Sequence, residues 1–143
     1  MKIEGQHRRA IEALHDQRAA RIIDQTLLPH HLVWLTLETM NDAAHAIRVM
    51  QVRGAPLIGA TAAFGFAFGL TEDASDEGLE KAWQTLFQTR PTAVNLRWAL
   101  DRVRTLVQPL PVEHRAEAAW REALRISDDD ALTNQTLGQH GLR

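Results

Sequence analysis

The stretch Val52-Arg-Gly-Ala-Pro-Leu-Ile-Gly-Ala-Thr-Ala-Ala-Phe-Gly65 opens the longest uncharged run of the chain. Nothing ionisable stands between Arg53 and Glu72, and the run is built from alanine, glycine and a few large apolar side chains. Pro56 suits the first turn of a helix, where its missing N–H costs nothing, so a helix is predicted from there to about Leu70. The 17 residues from Gly54 to Leu70 would measure roughly 25 Å as a helix. A membrane span needs about 20 residues, usually without so many glycines and a proline at its start. Neither a basic cluster nor an aromatic belt flanks the run. A core helix is therefore expected, and no membrane partner.

The rest of the composition agrees with one ordinary domain. At 143 residues the chain is long enough to bury a core, and a 45% hydrophobic share with 24% charged residues is that of a globular protein. A net charge of −2 with scattered Lys and Arg offers no basic field, which argues against nucleic acid. There is no cysteine, so disulfides, thiolate metal sites and a cysteine nucleophile are excluded within these residues. The start, MKIEGQHRRA, has no apolar segment of the secretory kind, and a cytoplasmic protein is expected.

Outward from the core run, two patterns divide the chain. Residues 8–37 carry branched and aromatic clusters, Ile22-Ile23 and Leu32-Val33-Trp34-Leu35-Thr36-Leu37. These are punctuated by His15-Asp-Gln-Arg18 and by Leu28-Pro29-His30, the pattern of two or three antiparallel strands. From Thr39 onward the pattern is helical. Thr39 is expected to cap a first helix with Asp42 in its first turn, and Ser75 to cap a third helix over Leu79–Gln88. Arg90-Pro91 breaks that helix, after which Thr92 should cap a fourth, Ala93–Val107. A fifth should span Val112–Ile126, and Ser127 should cap a sixth over Asp128–Gly138, its acidic run Asp128-Asp-Asp130 sitting at the positive end of the dipole. The class is α+β: a small N-terminal antiparallel sheet (residues 1–38) followed by a bundle of five or six helices (residues 39–143).

Arg53-Gly-Ala-Pro56 is the first candidate site. A helix start exposes unpaired N–H groups and about half a positive charge, which makes an anion site. Gly54 lets the backbone approach a bound group, Ala55 does not obstruct it, and Arg53 adds a planar, permanently charged fork suited to phosphate oxygens. The competing account makes Arg53 a solvated residue or one paired with Glu38 or Asp42, with the glycines serving close helix packing. Thr89-Arg-Pro-Thr-Ala-Val-Asn95 repeats the arrangement of arginine, proline and new helix, so the two starts could converge on one anion. Taken by itself, Arg90 reads rather as a surface residue in a loop. His30-His31 lacks the third ligand of a metal site, and neither a metal nor a cofactor is expected.

Four segments together resemble a known family. They are Ile23-Asp-Gln-Thr-Leu-Leu-Pro29, Ala46-Ile-Arg-Val-Met-Gln-Val-Arg-Gly-Ala-Pro-Leu-Ile-Gly59, Ala62-Ala-Phe-Gly65 and Arg90-Pro-Thr-Ala-Val-Asn-Leu96. In order and spacing they are similar to the methylthioribose-1-phosphate isomerases, relatives of ribose-1,5-bisphosphate isomerase and of the regulatory subunits of the initiation-factor exchange complex. The resemblance implies an aldose–ketose isomerisation of 5-methylthioribose 1-phosphate to 5-methylthioribulose 1-phosphate in methionine salvage. Phosphate on the anomeric carbon blocks free ring opening in that substrate, so the phosphate must be held and an acid and a base placed. It further implies that Arg53, Gly54, Ala55 and Arg90 contact the sugar phosphate. The family's catalytic cysteine and aspartate are expected in a C-terminal Rossmann-like domain, beyond a segment like Asn134-Gln-Thr-Leu-Gly-Gln-His-Gly141. The chain is then expected to be a truncated N-terminal domain, inactive alone, of an enzyme whose family forms homodimers. A non-catalytic module of the initiation-factor type is the alternative.

Overall fold

A computed structural model describes residues 2–3, 6–7, 11–14, 18–27, 30–52 and 54–141. Side chains are described within 11–14, 18–27, 30–52 and 54–128. The order is β1 (Lys2–Ile3), β2 (Gln6–His7), β3 (Ile11–Leu14), β4 (Ala19–Ile23) and a 3-10 turn (Gln25–Leu27), then β5 (Trp34–Leu37). Five helices follow: α1 (Met40–Arg48), α2 (Ala55–Glu72), α3 (Asp76–Phe87), α4 (Val94–Val107) and α5 (Val112–Gly141). The protein is α+β, as its sequence predicts. A two-residue hairpin, β1 with β2, precedes the expected sheet.

The main sheet has the order β3-β4-β5, antiparallel throughout. Its register sets Ile11 opposite Ile22, Ile22 opposite Leu35, Ala13 opposite Ala20 and Ala20 opposite Leu37. Because strand side chains alternate between faces, these six make one apolar face, and it lies on the helices. The outer face carries Glu12 and Arg21 as a cross-strand ion pair at 2.9 Å. The Arg21 guanidinium also stands 4.5 Å from the centre of the Trp34 ring.

Helix α2 is the axis of the fold. By length and composition it is one helix able to cross a bilayer, yet it is buried by protein and serves as a core helix. Every residue from Ile58 to Leu70 is buried, and α1, α3, α4 and α5 all pack on it. An apolar surface all round requires such enclosure. Small residues let the neighbours close in: a Cβ at Gly65 would sit 2.7 Å from the Cβ of Ala43 and 3.0 Å from Leu86. Opposite, Phe64 meets Trp120 of α5 edge-on at 5.3 Å between ring centres.

Helix starts follow the predictions in part. Thr39 caps α1 in a reciprocal box: its hydroxyl accepts from the Asp42 N–H, and the Asp42 carboxylate accepts from the Thr39 N–H. Ser75 caps α3 through the Gly78 N–H at 3.1 Å. Thr92 does not cap α4. The Ala93 N–H bonds the Arg90 carbonyl at 3.0 Å, closing a turn over 90–93, so the helix begins one residue later behind Ala93, which has no capping side chain. The sixth helix is absent as a separate element. Ser127 lies buried inside α5, which runs unbroken for 30 residues. The acidic run 128–130 is thus mid-helix and meets no helix start.

Candidate functional site

The segment joining α1 to α2 is shaped by the way α1 ends. The Met50 N–H bonds the Ile47 carbonyl at 3.3 Å, and the Gln51 N–H reaches back to the Ala46 carbonyl at 2.9 Å. This nested pair is a Schellman stop, in which one residue adopts left-handed backbone angles and glycine is usual. Here that residue is Met50, with φ of 64°. An L side chain in that conformation costs about 1–2 kcal/mol. Beyond it Val52 is fully buried and anchors the segment in the core. Gly54, with φ of 87°, then swings the chain into α2, a conformation that glycine reaches freely.

Helix α4 meets α2 near this point. A Cβ at Gly59 would lie 3.2 Å from the Asn95 carbonyl, so the first turns of the two helices run close together. Between them is a cleft of about 520 Å³, within the range of small-ligand sites. Gly54 and Ala55 from the start of α2 and Arg90 from the turn before α4 line it together. Ala93, Val94, Asn95 and Leu96 complete one wall, while Met50 and Ile58 form the other.

The electrostatics of the cleft come from backbone as much as from side chains. Gly54 and Ala93, the residues preceding α2 and α4, carry no side-chain cap, unlike Thr39 and Ser75 at α1 and α3. First-turn N–H groups have no partner within a helix. Two such uncapped ends at one cleft add two partial positive charges to the permanent charge of Arg90. The Arg90 side chain, partly exposed, makes no ion pair or hydrogen bond among the described residues. Other arginines are committed: Arg102 and Arg125 to Glu122, Arg104 to Glu80, Arg115 to Asp76.

Of the four residues predicted at the site, Gly54, Ala55 and Arg90 lie on this one cleft. Arg53 lies outside the described residues. Asp42, considered as a partner for Arg53, is instead occupied with the Glu38 and Thr39 N–H groups. Met50, Ile58 and Val94 were not anticipated. Met50 and Val94 stand inside the quoted segments, but their exposure, 42% and 79%, is set by a helix stop and a helix start that composition does not reveal. His30 and His31 are exposed, and no group of three metal-ligand side chains occurs among the described residues.

Residues 51–143 match the Initiation factor 2 subunit family. The chain belongs to that family. Within it, the methylthioribose-1-phosphate isomerase of Dechloromonas aromatica is 54% identical over 143 residues, covering all of this chain and 40% of that enzyme. The resemblance to the isomerases seen in the four segments is thereby borne out along the whole chain. The 5-methylthioribose 1-phosphate isomerase of Pyrococcus horikoshii superposes with a TM-score of 0.76 at 36% identity, over 85% of this chain and 36% of that one. Subunit delta of translation initiation factor eIF-2B from A. fulgidus gives a TM-score of 0.77 at 34% identity, over 86% and 37%. The chain thus spans less than half the length of these relatives.

Proposed function

We propose that the cleft holds the phosphate of a sugar phosphate, and that the chain forms the substrate-binding N-terminal part of an aldose–ketose isomerase. The reaction would convert 5-methylthioribose 1-phosphate to 5-methylthioribulose 1-phosphate, a step of methionine salvage in the cytoplasm. The observation that carries this reading is the meeting of two uncapped helix starts and the Arg90 guanidinium on one cleft. Helix N–H groups and arginine forks both select tetrahedral oxyanions. Arg53, Gly54, Ala55 and Arg90 are the residues assigned to the contact.

The 143-residue chain alone is expected to bind weakly and turn over nothing, since it has no cysteine and matches only 40% of the isomerase length. Half of a site leaves its charges open to water and salt. Titration of the purified chain with 5-methylthioribose 1-phosphate, with and without Arg90→Ala, tests the binding, and a product assay tests the inactivity. Saturable binding that the variant loses supports the assignment. Binding unchanged in the variant, or turnover by the chain alone, counts against it.

The likeness to the delta subunit supports a second reading, a non-catalytic regulatory module. Fold similarity does not separate the two, and the solved isomerase and delta subunit are nearly equal in identity, 36% and 34%; the 54% identity to the Dechloromonas isomerase supports the first reading. Stable association with a larger assembly, without phosphate binding, would favour the second.

A further inference from the structure

The segment Ile23-Asp-Gln-Thr-Leu-Leu-Pro29 carries part of the family resemblance, yet none of its described residues lines the cleft. At its centre is Asp24, buried between β4 and the 3-10 turn. The polar groups of Asp24 build that turn. Its N–H donates to the Val33 carbonyl at 2.8 Å, and its carbonyl accepts from the Leu27 N–H at 3.3 Å. Its carboxylate accepts from both the N–H and the hydroxyl of Thr26. A turn held in this way aims the Gln25 N–H at the Gln51 carbonyl, 2.9 Å away.

Gln51 directly follows Met50, whose left-handed backbone lacks the freedom of a glycine. Such strain persists only where the surroundings over-determine the backbone. Two bonds to Gln51 do this: its N–H reaches the Ala46 carbonyl within the helix stop, and its carbonyl is held from outside by Gln25. Three residues on, Gly54 has a backbone free to take other angles, so the start of α2 depends on how firmly the connection before it is fixed. We propose, resting on the phosphate reading above, that Asp24 is a positioning residue for the anion seat. Acting through the turn and the Gln25–Gln51 bond, it holds the α1–α2 connection so that the first N–H groups of α2 meet the same phosphate as those of α4.

The test titrates the 143-residue chain with 5-methylthioribose 1-phosphate at a temperature where circular dichroism shows each variant folded. Asp24→Ala should weaken binding about threefold or more, within the range carried by residues that act on a site from outside it. Asp24→Asn keeps an acceptor for Thr26 and should stay within about twofold of wild type. Thr26→Val, which loses a hydroxyl at an exposed position, should weaken binding by less than Asp24→Ala. Val107→Ala separates positioning from stability. It opens a cavity in the core at the far end of α4, so it should lower the thermal midpoint while leaving affinity unchanged. If Asp24→Ala lowers the midpoint at constant affinity, or if Val107→Ala loses as much affinity, the proposal is overturned and the phosphate seat stands. Should Asp24→Ala fail to fold, Thr26→Val decides by the same comparison. Failure of the wild type to bind overturns the phosphate reading, and this inference with it.

Discussion

The backbone N–H of Gln25 donates to the carbonyl of Gln51 at 2.9 Å. Gln51 belongs to the helix stop that positions Met50, so this bond links the 3-10 turn after β4 to the rim of the cleft. Asp24 holds the turn. Its buried carboxylate accepts from the Thr26 N–H at 3.0 Å and from the Thr26 hydroxyl, while its own N–H bonds the Val33 carbonyl at 2.8 Å. Ile23-Asp-Gln-Thr26 therefore braces the site from a distance.

Replacing Asp24 with alanine should free the Thr26 N–H and hydroxyl and lower stability by about 1–3 kcal/mol. Denaturant titration measures this. Amide exchange at Gln25 should quicken more than exchange in α2, because the turn opens locally while the core stays closed.

Arg115 ties several segments of the helical part together. It is buried, and its guanidinium donates to the carbonyls of Ala74, Gln108 and Leu110 at 3.0, 2.9 and 3.1 Å. It also lies 2.8 Å from the exposed Asp76 carboxylate. Arg115→Ala should cost about 3 kcal/mol or more, since three carbonyls lose a buried donor. Arg115→Lys should recover only part of that, lacking the fork. Asp76→Asn should cost about 0.5 kcal/mol, because its pair is open to water. Thermal or chemical melts of the three variants rank these effects.

Glu117 of α5 pairs with Arg18 at the start of β4 and, at 3.2 Å, with Arg121. The hydrogen bond from Arg18, before any other cause, holds the Glu117 carboxyl below its ordinary range. A carboxyl depressed in the folded state adds stability above its unfolded pKa and loses it as pH falls through the folded value. Glu117→Gln should therefore lower the melting temperature slightly at pH 7, and the gap to wild type should close as pH drops below about 4. A gap that stays constant between pH 7 and pH 3 would show that the pair contributes no linkage.

The legible parts of the fold are those written in local chemistry. Thr39 and Ser75 announce their helices because each cap bonds within three residues of itself. The uncharged run from Gly54 to Leu70 announces α2, because only enclosure stabilises so apolar a helix. That Arg90, Gly54 and Ala55 meet on one cleft was legible because arginine, proline and small residues cluster at both helix starts. Thr92 misleads because the Arg90–Ala93 turn outcompetes its cap. Ser127 misleads because capping residues also occur inside helices. The absence of proline and glycine between Val112 and Leu137 was the better signal for a continuous α5. The left-handed Met50 and the long-range bonds of Arg115 depend on contacts between distant segments, which no local pattern encodes.

The most direct measurement of the central claim is an amide-resolved NMR titration of the chain with 5-methylthioribose 1-phosphate. Bound phosphate should shift the Gly54, Ala55 and Leu57 amides of α2 together with Val94, Asn95 and Leu96 of α4, and Arg90→Ala should suppress both sets. Shifts confined to one helix start, or appearing instead around α3, would contradict a cleft in which two helix ends and one arginine hold a single phosphate.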